Sequence, residues 1–378
     1  MLKIKKTISA AVSAVLFLAC CALIASMVFT MGTDEKPLEQ LSKTGLGSMT
    51  DFDMYINSLA AGAMDNVVPV RKIYRLAEDI TVAPEPDREL YSSSKDPMDA
   101  VETVEAAMEL LEFEDIFWDP GKELMPNSDV QWYLDDSIFV LNWKQVINNV
   151  VYTFMEVKLA HPSQFRRYFA NDTFAYPVQY TPSMMAASVK AVAAMSGDYY
   201  KFRPIGIVVY KGEFCRAGGD AVDSCFVDTN GDLHFVQHGT LADDEAIIQY
   251  IEENDIQFSL SFGPTLIEDG ELVVPDRYIL GEIDDKYPRA AICQLGECHY
   301  LMVTANAEGP GTTVPALRPF ANSLYDMGIE NAYTLDGGQT ATIIINDKVI
   351  NRVLTGRERY VSDIIYFATA IPEREEDV

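Results

Sequence analysis

Met98, Val101, Val104, Met108 and Leu111 recur at helical spacing, so residues 97–112 are expected to form an amphipathic helix. The pattern then changes period. "SIFVLNW" and "NVVYTFMEVKLA" are runs of β-branched and aromatic residues that read as strands. "TPSMMAASVKAVAAMSGDYY" reads as a helix passing into a strand, with Thr181 as cap, Pro182 in the first turn and Gly197 as the stop. Three hairpins follow from their turn residues: Asn230-Gly231, Asp269-Gly270 and Asn346-Asp347. "LRPFANSLYDMG" predicts another helix, with Pro319 in its first turn and Gly328 ending it, and it feeds the strand "NAYTL". Strands outnumber helices. The fold class expected is α+β: a mixed, largely antiparallel sheet with packed helices, preceded by an N-terminal transmembrane helix.

That leading helix is read from the first 31 residues. Lys3, Lys5 and Lys6 precede a stretch from Ile8 to Met31 that carries no charge. As a helix it would span about 36 Å, against a hydrocarbon core of roughly 30 Å. The lysines place residues 1–7 in the cytoplasm and the bulk of the chain outside. A cleaved signal peptide would have a shorter apolar core and a clearer small-residue site, and Phe17 to Cys20 resembles a lipobox only loosely. The expected layout is a cytoplasmic tail over 1–7, an anchor over 8–31, an extracellular stem over 32–94, a folded domain over 95–372 and an acidic tail over 373–378. The stem follows from "VAPEPDRELYSSSKDP", whose prolines and serines suit an extended linker.

Composition narrows the partners. With 57 acidic against 29 basic residues the formal charge is −28, which disfavours nucleic acid and a broad basic face on an anionic bilayer. An anion is expected to bind only where local arginines gather. Cys215, Cys225, Cys293 and Cys298 lie in the part expected outside the cell; their spacing favours disulfides Cys215–Cys225 and Cys293–Cys298. His161, His234, His238 and His299 lack zinc-type spacing, and Asp228, Asn230 and Asp232 lack the distal Glu of a calcium loop, so no metal is expected.

One stretch invites chemistry. In "YTLDGGQTATIIIND", Asp336 is followed by Gly337 and Gly338 where a strand breaks. Such a pair makes a tight turn, and it also clears space for a ligand to approach a carboxylate at a strand end. Four segments taken in order give this turn a context: "MSGDYYKFRPIGIVVYKGEFCR", Phe258 to Leu266, "YPRAAICQLGECHYLMVT", and "MGIENAYTLDGGQTAT" with "VINRVLTGRERYVSDIIYF". Their combination resembles the phosphodiester glycosidase family over roughly residues 130–370. The resemblance implies catalytic roles for Asp336, Asp198 and Arg289, and substrate contacts from Gly197, Gly337, Gly338, Gln339, Thr340 and Arg359. A guanidinium suits the growing charge of a phosphomonoester, and a nearby carboxylate suits proton transfer or an oxocarbenium-like centre.

The chain also departs from the family pattern. Ser196 replaces an asparagine, Gln339, Thr340 and Ala341 replace a glycine and serines, and Asn306 and Glu308 stand where an acid and an arginine belong. The expectation is an extracellular, membrane-anchored hydrolase without cofactor, cleaving a sugar-1-phosphodiester in a cell-envelope polysaccharide or glycoconjugate. The alternative is a catalytically silent relative that binds envelope polysaccharide or a partner protein.

Overall fold

The computed structural model describes residues 74–372, apart from 78, 175–178, 219–220 and 280–282. The expected anchor over 8–31 lies outside the described residues; among those described, no helix is long and apolar enough to cross a membrane. All of the described residues fall in one compact unit.

Its centre is a nine-stranded sheet. From edge to edge the strands are Glu271–Leu272, Thr265–Glu268, Asn331–Leu335, Arg289–Gly296, His299–Asn306, Val150–Leu159, Ile138–Ile147, Val130–Leu134 and Ser92–Ser94. All the strand pairings among the described residues are antiparallel. Side chains alternate between two buried faces. Phe139, Leu141, Tyr152 and Phe154 point to one face, where helices Val101–Leu110 and Leu317–Asp326 supply Val104, Ala107, Leu317, Phe320 and Leu324. Ile138, Val140, Met155 and Val157 point to the other. Burial on both sides explains why "NVVYTFMEVKLA" reads as a continuous apolar run and not as alternation.

Two five-stranded sheets cover that second face. One is ordered Lys348–Val349, Ile343–Ile345, Ala193–Ser196, Asp363–Phe367 and Phe165–Phe169; the other Leu233–Val236, Ser224–Asp228, Ile256–Leu260, Val208–Tyr210 and Glu213–Arg216. Met195, Ile343, Ile365 and Phe367 from the first, with Cys225, Val227, Phe258 and Leu260 from the second, fill the space beneath the large sheet. Helix Asp244–Glu253, which the pattern reading passed over, closes the outer face of the second with Ile247 and Ile251. Its signals are local: Asp243 caps Ala246 N at 2.9 Å, acids follow in the first turn, and two isoleucines stand four apart.

Three expectations need correction. The helix beginning at Pro182 ends at Ser188 and not at Gly197, because Ala193–Ser196 is claimed as a strand between Ile343–Ile345 and Asp363–Phe367. The stem does not run to residue 94. Tyr74–Arg75 pairs with Ile371–Pro372, Leu76 and Ala83 are buried, and Ser92–Ser94 adds an edge to the large sheet. A proline-rich segment becomes part of the domain because its few apolar side chains find a sheet face to cover; Arg166 also holds the carbonyls of Leu76 and Ala77, at 3.1 and 2.7 Å.

The third correction concerns the disulfides Cys215–Cys225 and Cys293–Cys298: all four cysteines are free. Two strands separate Glu213–Arg216, which carries Cys215, from Ser224–Asp228, which carries Cys225. Three inter-strand steps amount to about 14 Å, twice the reach of a disulfide at about 7 Å. Cys293 packs on the helix-covered face of the large sheet and Cys298 on the opposite face. Burial pushes the thiols of Cys225 and Cys293 upward, so neither is a ready thiolate. The four thiols should alkylate without prior reduction once the protein is denatured, and reductant should leave the melting temperature unchanged. A drop of several degrees on reduction would mean that a cross-link exists.

Candidate active site

The site lies where strand ends from all three sheets meet. Asp336 follows Asn331–Leu335 and opens the expected turn. Gly337 is there for proximity: a Cβ on it would lie 2.5 Å from the Pro288 carbonyl oxygen. Gly338 takes a φ of +64°, and its N–H donates to that same carbonyl at 2.7 Å. The turn is thereby fastened to the start of the Arg289–Gly296 strand. Thr340 reaches back with its N–H to Gly337 O at 3.2 Å, and Gln339 donates to Arg357 O at 3.0 Å.

Asp336 is 9% exposed. Burial pushes its carboxyl up to about 7; a hydrogen bond from Thr340 and the charges of Arg359 and Arg203 pull it down, and Asp198 pushes it further up. At neutral pH it therefore exists in both protonation states and can give or take a proton. Arg359 donates to the Tyr199 hydroxyl at 3.2 Å and lies over the Tyr199 and Phe202 rings. Arg203 lies over Tyr199 and Phe262, and its buried Nη1 has no acceptor among the described residues. Two half-buried guanidiniums thus bear on one carboxyl that is partly protonated near neutrality, an arrangement that leaves positive potential for an anion.

Asp198 stands beside them in a different role. Its carboxylate accepts from Tyr200 N at 2.6 Å and Ser261 N at 2.8 Å, and pairs with Arg167 at 3.0 Å. Arg167 also donates through Nε to Asp363 at 2.9 Å and reaches the Ser259 carbonyl. The side chains of Arg167, Asp198 and Asp363 are fully buried. Burial raises the Asp363 carboxyl, Arg167 opposes that, and Asp198 reinforces it. Gly197 is what lets this cluster close: a Cβ there would lie 2.1 Å from the Asp363 carboxylate. The arrangement orients Asp198 through its neighbours and presents none of its surface to a ligand.

Arg289 sits at the same end of the large sheet, yet its guanidinium is turned to structure. It donates to Asp285 O at 2.6 Å and stacks 3.7 Å above the Tyr287 ring, which packs against Gly337. The structure thus brings Asp336, Thr340 and Arg359 together with Asp198 nearby, and stacks Arg289 on the Tyr287 ring. Ser196 ties the strand Ala193–Ser196 to the turn by donating to the Thr340 carbonyl. Glu308 is paired with Lys144 at 2.8 Å and accepts from Arg352 N at 2.6 Å, while Asn306 donates to Arg352 O.

Pattern reading missed Arg203, Tyr199, Arg167 and Asp363. Arg167 had a signal: in "FRRYF" it shares the buried face with Phe165 and Phe169, and a cation on an apolar face requires carboxylate partners. Among the described residues no cluster of His, Cys, Asp and Glu is placed to hold a metal ion.

A carboxylate, two arginines and aromatic rings thus stand together at these strand ends. Residues 189–368 match the family model described as phosphodiester glycosidase. A 165-residue stretch is 26% identical to the SPbeta prophage-derived uncharacterized protein YomE of Bacillus subtilis (strain 168). That match takes in 42% of this chain and spans only 24% of the relative's length. Among solved structures, the catalytic domain of zebrafish N-acetylglucosamine-1-phosphodiester alpha-N-acetylglucosaminidase aligns with a TM-score of 0.49 and 17% identity, over 67% of this chain and 86% of that one. A hypothetical protein from Synechocystis aligns with a TM-score of 0.45 and 14% identity, over 64% of each chain.

Proposed function

We propose that the protein hydrolyses a sugar-1-phosphodiester outside the cell, tethered to the membrane by residues 8–31, with a cell-envelope polysaccharide or glycoconjugate as substrate. The observation that carries the reading is Asp336, held near neutrality by burial in reach of the charges of Arg203 and Arg359. Water adds at the anomeric carbon as the bond from that carbon to the phosphate oxygen breaks. The bonding pair leaves with the phosphate, and Asp336 in its ionised form takes the proton of the attacking water. The phosphate gains negative charge in this step, which the two guanidiniums stabilise. Glu308, neutralised by Lys144, adds no free charge to oppose this.

Incubating the full chain with a GlcNAc-1-phosphodiester should release free sugar and a phosphomonoester in equal amounts. The second reading, a silent relative that binds envelope polysaccharide or a partner protein, draws support from Asn306 and Glu308: both face structural partners where the family pattern supplies an acid and an arginine. Polysaccharide binding with no sugar released from any sugar phosphodiester would select it.

A further inference from the structure

Toward one edge, the large sheet changes character on the face that the smaller sheets cover. Along the strand Ile138–Ile147, Ile138 and Val140 point to that face and are buried among apolar neighbours. The next positions at the same period of two are Asn142 and Lys144. Gln131 and Ser93 stand level with Asn142 on the two strands that follow outward. Two adjoining hollows of about 160 and 270 Å³ lie between this polar floor and the hairpin of Ile343–Ile345 with Lys348–Val349. Gln131, Lys348 and Ile350 line both hollows, which together reach the range of about 300–1,000 Å³ usual for ligand sites.

The chemistry of this groove selects its ligand. Lys144 is paired with Glu308 at 2.8 Å, and the other two charged lining residues, Asp129 and Lys348, are opposite in sign. In a chain of formal charge −28, the groove is therefore electrically balanced and favours an uncharged ligand. Amide and hydroxyl groups of Gln131 and Ser93 both donate and accept, and Ile350 adds an apolar wall. A pyranose matches this division, with hydroxyls around its edge and C–H bonds on its faces.

The groove is also connected to the candidate active site. Lys144 stands level with Thr153, Thr304, Ala290 and Leu335 on successive strands. Four inter-strand steps, about 19 Å, thus separate it from the residue that precedes Asp336. From Ile350 in the groove wall the chain runs past Arg352, whose N–H donates to Glu308, to Arg357, whose carbonyl takes Gln339. It then reaches Arg359 at the site. We propose that this groove binds an uncharged stretch of a glycan chain, so that the protein grips a polymer some distance from the bond it cleaves. The assignment rests on the hydrolase reading for making the held chain a substrate, and on the groove alone for making it a glycan.

The test titrates the full chain by calorimetry with two uncharged probes, a hexamer of N-acetylglucosamine and a hexamer of glucose. At least one hexamer should bind. Gln131→Ala and Lys348→Ala should each weaken that binding about twofold to tenfold, the range a lost hydrogen bond gives. Neither side chain is buried, so both variants should melt with the wild type, which separates lost contacts from a folding defect. Asp336→Asn should bind the hexamer as tightly as the wild type does. No binding of either hexamer, or binding that either groove variant leaves unchanged, would overturn the groove. So would binding lost in Asp336→Asn, because the hexamer would then occupy the candidate active site. Sugar release from a GlcNAc-1-phosphodiester is scored separately. Hexamer binding without release keeps the groove and overturns the hydrolase reading, and release without hexamer binding does the reverse.

Discussion

Asp336→Asn should lower turnover on a sugar phosphodiester by about 10²–10⁴ while the fold survives, because the change keeps size and hydrogen bonding and removes only the titrating proton. The same substitution should raise stability in a pH-dependent way. The Asp336 carboxyl titrates at about 7 in the folded protein against an ordinary 3.8, so the folded state binds the proton more tightly than the unfolded chain. Wild-type stability is therefore unpenalised by this group below about pH 4, falls as pH rises through the interval, and carries the whole penalty above about pH 7. Asparagine never ionises. Its advantage should be a melting-temperature gain of a few degrees at pH 8 that disappears toward pH 4. An active enzyme indifferent to this change would remove Asp336 from the reaction, and a gain that grows on acidification would contradict the buried, proton-retaining carboxyl.

Arg167→Met should be among the most damaging single changes outside the turn. It leaves Asp198 and Asp363 facing each other without their shared cation, and uncompensated buried charges of this kind cost roughly 3–5 kcal/mol. Denaturant titration should show the loss growing with pH. With the arginine gone, the Asp363 carboxyl, already raised by burial, holds its proton more tightly still in the folded state, so protonation rescues the variant at pH 5 and fails to at pH 8. Adding Asp363→Asn should recover part of the loss, since one neutral partner ends the repulsion. A pH-independent loss would assign Arg167 a packing role on Phe169 and Tyr200, whose rings lie 4.7 and 5.2 Å from its guanidinium. Because Asp363 also accepts the Asp198 N–H at 3.2 Å and faces Gly197, loosening this cluster should move the Tyr199–Arg203 segment and lower activity in the fraction that stays folded.

Much of this architecture was readable from short-range chemistry. The hairpins turn where expected, at Asn230-Gly231, Asp269-Gly270 and Asn346-Asp347, and the last of these takes positive φ at both residues. Such turns are decided by the φ preferences of the residues within them, so no distant partner is needed. The Asp-Gly-Gly turn belongs with them: the glycines mark a place where another backbone must come close, and the Pro288 carbonyl is that backbone.

Other features depended on which strands became neighbours. The disulfide expectation took nearness in sequence for nearness in space, and the sheet order put two strands between Cys215 and Cys225. The alanine-rich run 193–196 has helical propensity, yet strands on both sides offer it hydrogen bonds and buried contacts that outweigh propensity. Arg167 and Asp363, 196 positions apart, meet only because Phe165–Phe169 and Asp363–Phe367 pair edge to edge. Period, turn residues and caps act through bonds and neighbours a few residues away, so the amino-acid string carries them openly. The proton affinity of Asp336 and the pairing of Arg167 arise from desolvation and charge contributed by segments far away in the chain, and those forces take their values only once the three sheets have packed.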